Sequence, residues 1–180
     1  MPLLRLSNIS LAFGHRALLD KADLEITRGE RICLLGRNGE GKSSLLRILS
    51  GEVIADDGEL WVRPGVSIAC LAQEVGMDSN DSVFDVVAGG LPELGKLISD
   101  YHHVVSELAH SDSPALLKRL SELQHGLEAA DGWQLEQRVE SVLSRLDLDS
   151  DAIFHSLSGG WRRRVMLARA LVCQPDVLLL

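Results

Sequence analysis

The chain has 180 residues, of which 46% are hydrophobic and 24% charged, with a formal net charge of −8. That length suits one domain with a substantial core, and the apolar content excludes a disordered chain. The acidic balance argues against a generally basic nucleic-acid surface, and no apolar run approaches the ~18–20 residues that span a bilayer.

Met1-Pro2-Leu3-Leu4-Arg5-Leu6 has neither the basic nor the apolar region of a signal peptide. Leu4/Leu6 and Leu24/Ile26 alternate with polar residues, as half-buried strands do, so residues 3–35 read as β-rich. Arg28-Gly29-Glu30 supplies a turn, and Ile32-Cys33-Leu34-Leu35 is a continuous apolar run, as expected of a strand buried on both faces. A helix runs from Ser44 to Leu49 and stops at Gly51. Asp56-Asp57-Gly58 is expected to be a hairpin turn between short strands, the second containing Leu60 and Val62. Val66 to Leu71 is another strand, followed by Gln73.

The middle of the chain changes period. Leu94, Leu97, Ile98, Tyr101, Val104, Val105 and Leu108 recur at helical spacing. Ser113 is placed as N-cap and Pro114 as the first residue of a second helix, carrying Leu116, Leu120, Leu123 and Leu127. After Asp131-Gly132 a third carries Leu135, Val139, Val142 and Leu146. A helical insert of roughly 60 residues thus interrupts an α/β core, far longer than an ordinary connection. Cys33, Cys70 and Cys173 have no ligand spacing and read as buried reduced thiols, which together with the missing leader points to the cytosol. His102 and His103 are adjacent, which on a helix sets them about 100° apart, so these, with His110 and His125, are expected on the surface. Arg162 to Arg164 read as a solvated helix face.

Two stretches carry chemistry. Gly36-Arg37-Asn38-Gly39-Glu40-Gly41-Lys42-Ser43 fits G-x-x-x-x-G-K-[ST] between a strand and a helix. Its glycines let backbone N–H groups point at a phosphate chain, and Lys42 can reach the outer phosphates. Ser43 is placed to ligate Mg²⁺ and Ser44 to contact an inner phosphate. Glu40 puts a carboxylate beside that polyanion and is therefore expected to point outward. Further on, Leu157-Ser158-Gly159-Gly160-Trp161 precedes an apolar-periodic run. A hydroxyl and two unobstructed amides there open a helix whose dipole favours an anion. Phe13, at a strand end before Gly14, is either an aromatic that stacks on adenine or a core phenylalanine. Gln73 offers an amide for Mg²⁺ or a water near the γ-phosphate.

In this order, Phe13, the Gly36–Ser43 loop, Gln73 and then LSGG, the chain resembles the nucleotide-binding domain of ATP-binding cassette (ABC) proteins over nearly its whole length. The resemblance implies an α/β P-loop NTPase fold of the ABC type, with an N-terminal antiparallel β-subdomain, a mixed core sheet and a helical insert. It divides one incomplete cassette into an ATP-binding core (1–73), a helical arm (74–150) and the signature helix with the start of the Walker B strand (151–180). ATP and Mg²⁺ are the implied cofactors. Phe13, Gly36, Arg37, Asn38, Gly39, Glu40, Gly41, Lys42, Ser43 and Ser44 would bind the nucleotide, Lys42 and Gln73 would act in catalysis, and Ser43 and Gln73 would hold the metal. Ser158, Gly159 and Gly160 would bind, in trans, the γ-phosphate on a second cassette's P-loop, which makes that cassette the implied partner.

Trp161 and the arginines after it, where transporter cassettes usually have Gln, resemble the Uup-type branch of the soluble ABC-F proteins. These proteins work on ribosomes or nucleic acid and insert into no membrane. Val177-Leu178-Leu179-Leu180 resembles a Walker B strand, and the Asp and general-base Glu of the family pattern are not among these residues. The chain is therefore expected to be an N-terminal fragment that binds ATP without hydrolysing it, the parent being an ATPase. An ATP-binding subunit of an ABC membrane transporter and a non-catalytic nucleotide-binding module are the alternatives. Residues 93–145 carry five Lys/Arg against nine Asp/Glu, a net of −4, which favours a protein-facing arm, or nucleic-acid contacts elsewhere in the parent, over an arm that grips RNA.

Overall fold

The computed structural model describes residues 1–14, 16–71, 80–91, 94–111, 113–130 and 132–180, and of Phe13 and Arg16 the backbone alone. Gln73, Asp112 and Asp131 lie outside the described residues. Two compact units emerge, one of Met1–Cys70 with Pro175–Leu180 and one of Leu71–Gln174.

The first unit is built on strands β1 (Pro2–Phe13) and β2 (Arg16–Thr27), a long antiparallel hairpin that β3 (Asp57–Val62) extends on the far edge of β1. Leu4, Leu6, Ile9 and Leu11 of β1 are buried, and Ile48 and Leu49 belong to the same core. Each such side chain contributes about 2 kcal/mol by leaving water. Helix α1 (Lys42–Leu49) ends as the Gly51 signal predicts. Gly51 has φ 79, its N–H donates to Ile48 O at 3.0 Å, and that of Glu52 donates to Arg47 O at 2.9 Å. That pair of bonds is a Schellman stop. Strand β4 (Ile68–Cys70) pairs in parallel with β5 (Val177–Leu179). Asp176 braces that pair, its carboxylate accepting from the Ser67 N–H and hydroxyl at 3.1 and 3.2 Å.

Three expectations for this unit need correction. Ile32–Leu35 forms no strand among the described residues, and Leu35 is 93% exposed. An apolar run becomes a buried strand only where neighbours pair its edges and cover both faces, and no described segment does so here. Cys33 in that run is accordingly exposed, while Cys70 here and Cys173 in the helical unit are half-buried, and none of the three is in a disulfide. Asp57-Gly58 lies inside β3 rather than in a hairpin turn. The register against β1 slips between Ser7 and Ser10, with Asn8 at φ 52 and Gly58 at φ 95. A Cβ on Gly58 would come 2.5 Å from Asn8 O, so the glycine serves a β-bulge and close backbone approach.

The second unit is helical: α2 (Val83–Ala88), α3 (Gly95–Leu108), α4 (Pro114–Ala129), α5 (Gly132–Arg145) and α6 (Gly159–Leu171). Phe84, Val87, Ile98, Leu127, Val139, Phe154 and Val165 meet in its core with almost no exposure. Leu94, Leu97, Tyr101, Leu135, Val142 and Leu146 pack against that core, whereas Val105, expected on the same face of α3, is 43% exposed. Pro114 opens α4 after Ser113, although the Ser113 side chain makes no capping bond. Helix α2 adds to the elements that the periodicity predicts, and Ser82-x-x-Asp85 marks its start. Ser82 Oγ accepts from the Asp85 N–H at 3.1 Å and donates to Asp85 Oδ2 at 2.6 Å. The histidines are not all simply solvated. His102 stacks on Phe84 with centroids 4.1 Å apart, and His103 Nε2 lies 2.9 Å from Asp85 Oδ2.

Candidate nucleotide-binding site

The Gly36–Ser43 loop turns through glycines where only glycine is comfortable. Gly39 and Gly41 have φ of 82 and 86, in the left-handed region. Gly41 is also the N-cap of α1, and a Cβ there would lie 3.2 Å from both Cβ and O of Leu18 in β2. Leu18 follows Ala17, the partner of Ala12, and the hairpin then closes at the Phe13↔Arg16 pair. The hairpin end that carries Phe13 is thus the end that backs the phosphate loop. The Phe13 side chain itself lies outside the described residues, as does all of Gln73.

Lys42 is the first residue of α1. Its Nζ donates to Gly36 O at 2.7 Å and Arg37 O at 2.8 Å, so the ammonium lies across the loop. Glu40 does not point outward. Its Oε2 accepts the Arg37 N–H at 2.7 Å, because that amide is an unspent donor within three residues' reach of a flexible carboxylate. The loop therefore already holds an anionic oxygen on one of its amides, and residues of this kind fit a phosphate chain. Ser43 and Ser44 follow in the first turn of α1, where a hydroxyl can serve a metal ion or an inner phosphate.

In the helical unit, Ser158 is the N-cap of α6, with extended backbone (φ −65, ψ 158) and no side-chain capping bond. Ser158, Gly159 and Gly160 are exposed, and a Cβ added at either glycine would meet nothing within 4 Å. The turn therefore presents open helix-start amides to whatever docks on it. The arginines after it are more than a solvated face. Arg162 donates to His155 O and lies over the Phe154 ring at 5.9 Å, and Arg164 sits 4.3 Å over Trp161. A guanidinium stacks on an aromatic face readily, so the turn is braced from behind.

A family profile described as ABC transporter matches residues 19–180. The chain belongs to the ABC transporter family. The ATP-binding protein Uup of Haemophilus influenzae is 42% identical over all 180 residues, and that of Escherichia coli 40%. The chain spans 28% of the length of each. The energy-dependent translational throttle protein EttA of Mycobacterium tuberculosis is 31% identical over 97% of the chain and 32% of its own length. Uup and EttA are both ABC-F proteins, so the likeness lies on that branch. Among solved structures, an ATP-binding cassette of an ABC transporter matches with TM-score 0.67 and 21% identity, covering 99% of this chain and 68% of its own. A nucleotide-free ATP-binding cassette from an ABC transporter matches with TM-score 0.65 and 23% identity over the same shares. These two likenesses establish the ABC cassette fold, including its antiparallel β-sheet. Among the described residues of this cassette, no helix is long and apolar enough to cross a membrane.

Proposed function

We propose that this chain is the ATP-binding cassette of a soluble, cytoplasmic ABC-F ATPase that couples ATP binding and hydrolysis to work on ribosomes or nucleic acid. The observation that carries the reading is the Gly36–Ser43 loop, which holds an anionic oxygen on a backbone amide and a lysine ammonium across its mouth. In this reading Lys42 would leave the two carbonyls for the outer phosphates, Ser43 and Gln73 would hold Mg²⁺, Ser44 would contact an inner phosphate, and Phe13 would stack on adenine. Mg²⁺, when bound, spreads the charge of the terminal phosphates. Ser158, Gly159 and Gly160 serve a nucleotide on a second cassette rather than their own, consistent with their exposure.

Positioning and charge stabilisation dominate phosphoryl transfer, and a general-base carboxylate is part of that constellation. In this reading Lys42 and Gln73 supply the charge and the positioning for that transfer. The helical insert is the surface for a protein partner rather than for RNA. Its Arg119 is already paired with Asp100 at 3.5 Å and Glu122 at 3.6 Å. Cross-linking to RNA through Lys96, Lys118 or Arg119 would contradict this.

Fluorescent ATP titrated into the 180-residue chain should bind saturably, and Lys42→Ala should abolish or strongly weaken that binding. No saturable binding would overturn the site.

A further inference from the structure

We propose that Glu40 is a built-in competitor for the nucleotide, its carboxylate standing where a phosphate oxygen must bind, so that ATP enters only by displacing it. The inference rests on the nucleotide-binding reading of the Gly36–Ser43 loop and adds to it a residue that sets affinity. Two hydrogen bonds meet on one peptide unit. The Gly36–Arg37 peptide has its N–H on Glu40 Oε2 at 2.7 Å and its C=O on Lys42 Nζ at 2.7 Å. The Glu40 N–H donates back to Arg37 O at 3.3 Å, closing the turn. Glu40 Oε2 would lie 2.9 Å from a Cβ on Gly36, so the carboxylate lies directly over the start of the loop, and glycine there leaves room for it.

A carboxylate and a lysine thus hold one peptide plane by its two ends. A phosphate chain takes both groups' places at once: it draws Lys42 off the carbonyl and supplies the oxygen that the Arg37 amide now takes from Glu40. A carboxylate bond to a backbone amide is charge-assisted and stronger than a neutral one, yet here it is exposed and screened. The expected effect on affinity is therefore moderate, about three- to tenfold, since apparent affinity scales with the fraction of loops already open.

Dissociation constants for a fluorescent ATP analogue with Mg²⁺, measured on the full chain and on Glu40 variants, test this. Glu40→Ala should bind about three- to tenfold more tightly than the wild type. Glu40→Asp keeps the charge but is one methylene too short to hold the amide, so it should fall nearer Ala than wild type. Glu40→Gln keeps the reach with a weaker bond and should fall between. Without nucleotide, the Arg37 amide proton should shift upfield in Glu40→Ala and Glu40→Asp, a readout that binding does not enter. Equal affinities across the series, with the Arg37 amide unmoved, would overturn the inference and leave the nucleotide site standing. An Asp variant as weak as wild type beside tight Ala and Gln variants would show charge repulsion alone and also overturn it. No saturable binding by any variant, wild type included, would overturn the nucleotide reading and the inference with it.

Discussion

Replacing Gly41 by alanine separates two costs that the phosphate loop imposes on one residue. Gly41 sits at φ 86 and ψ 5, where an L-residue is disfavoured by roughly 1–2 kcal/mol. Its added Cβ would also press on Leu18 Cβ and O at 3.2 Å, tighter than ordinary contact. The backbone cannot rotate freely to escape, because Gly41 O accepts the first bond of α1 from the Leu45 N–H at 2.8 Å. Together these give a loss of about 2 kcal/mol after allowing for the stiffer unfolded chain. Gly39 is the control: it has a similar φ of 82, and a Cβ there would meet nothing within 4 Å. Gly39→Ala should therefore cost only about 1 kcal/mol. Urea unfolding of both variants gives the two numbers, and their difference is the Leu18 contact. The reasoning fails if Gly41→Ala is as stable as the wild type, or if the two variants cost the same.

Gly58→Ala should destabilise by at least about 3 kcal/mol in the same assay, because its Cβ would overlap backbone atoms of Ser7 and Asn8 that no rotamer change can move. Phe154→Ala should cost about 3–5 kcal/mol, since that ring is fully buried in the helical core. Hydrogen bonds from the Ser67 backbone and hydroxyl, and then Arg28, hold the Asp176 carboxyl below the usual carboxylate value. A lowered folded pKa adds stability that is present above the ordinary value near ~3.9 and is lost as pH falls through the folded value. Asp176→Asn should flatten the acid limb of a stability–pH curve below about pH 4, and an unchanged limb would count against this. Burial pushes the Cys70 and Cys173 thiols up, so iodoacetamide should label exposed Cys33 first, with peptide mapping as the check.

What could be read from sequence was what local chemistry decides. Gly51 had to end α1, since a left-handed stop strongly favours glycine, and Pro114 had to open α4 rather than interrupt it. The two-residue alternation at Leu4/Leu6 and Leu24/Ile26 sufficed for β1 and β2. Features set by distant partners were not legible. Ile32–Leu35 has a strand's composition but forms none among the described residues, and Asp57-Gly58 has a turn's composition but meets β1 across a bulge. Helix α2 was legible in principle: Ser82 and Asp85 spell a capping box, hidden by a helix only six residues long. At the site, the loop sequence announced an anion-binding backbone, yet it could not say that Glu40 would occupy one of its amides. A repulsion argument assumes the phosphate is already there, whereas the nearest unspent donor decides where a carboxylate rests.

The central claim is that the Gly36–Ser43 backbone binds the phosphates of ATP. Titrating a slowly hydrolysed ATP analogue with Mg²⁺ into ¹⁵N-labelled chain, and following the amide signals, tests it most directly. The largest shifts should fall on Arg37, Gly39, Gly41, Lys42 and Ser43, saturate together, and vanish in Lys42→Ala. Saturable shifts that leave those five amides unmoved, or that persist in Lys42→Ala, would contradict it.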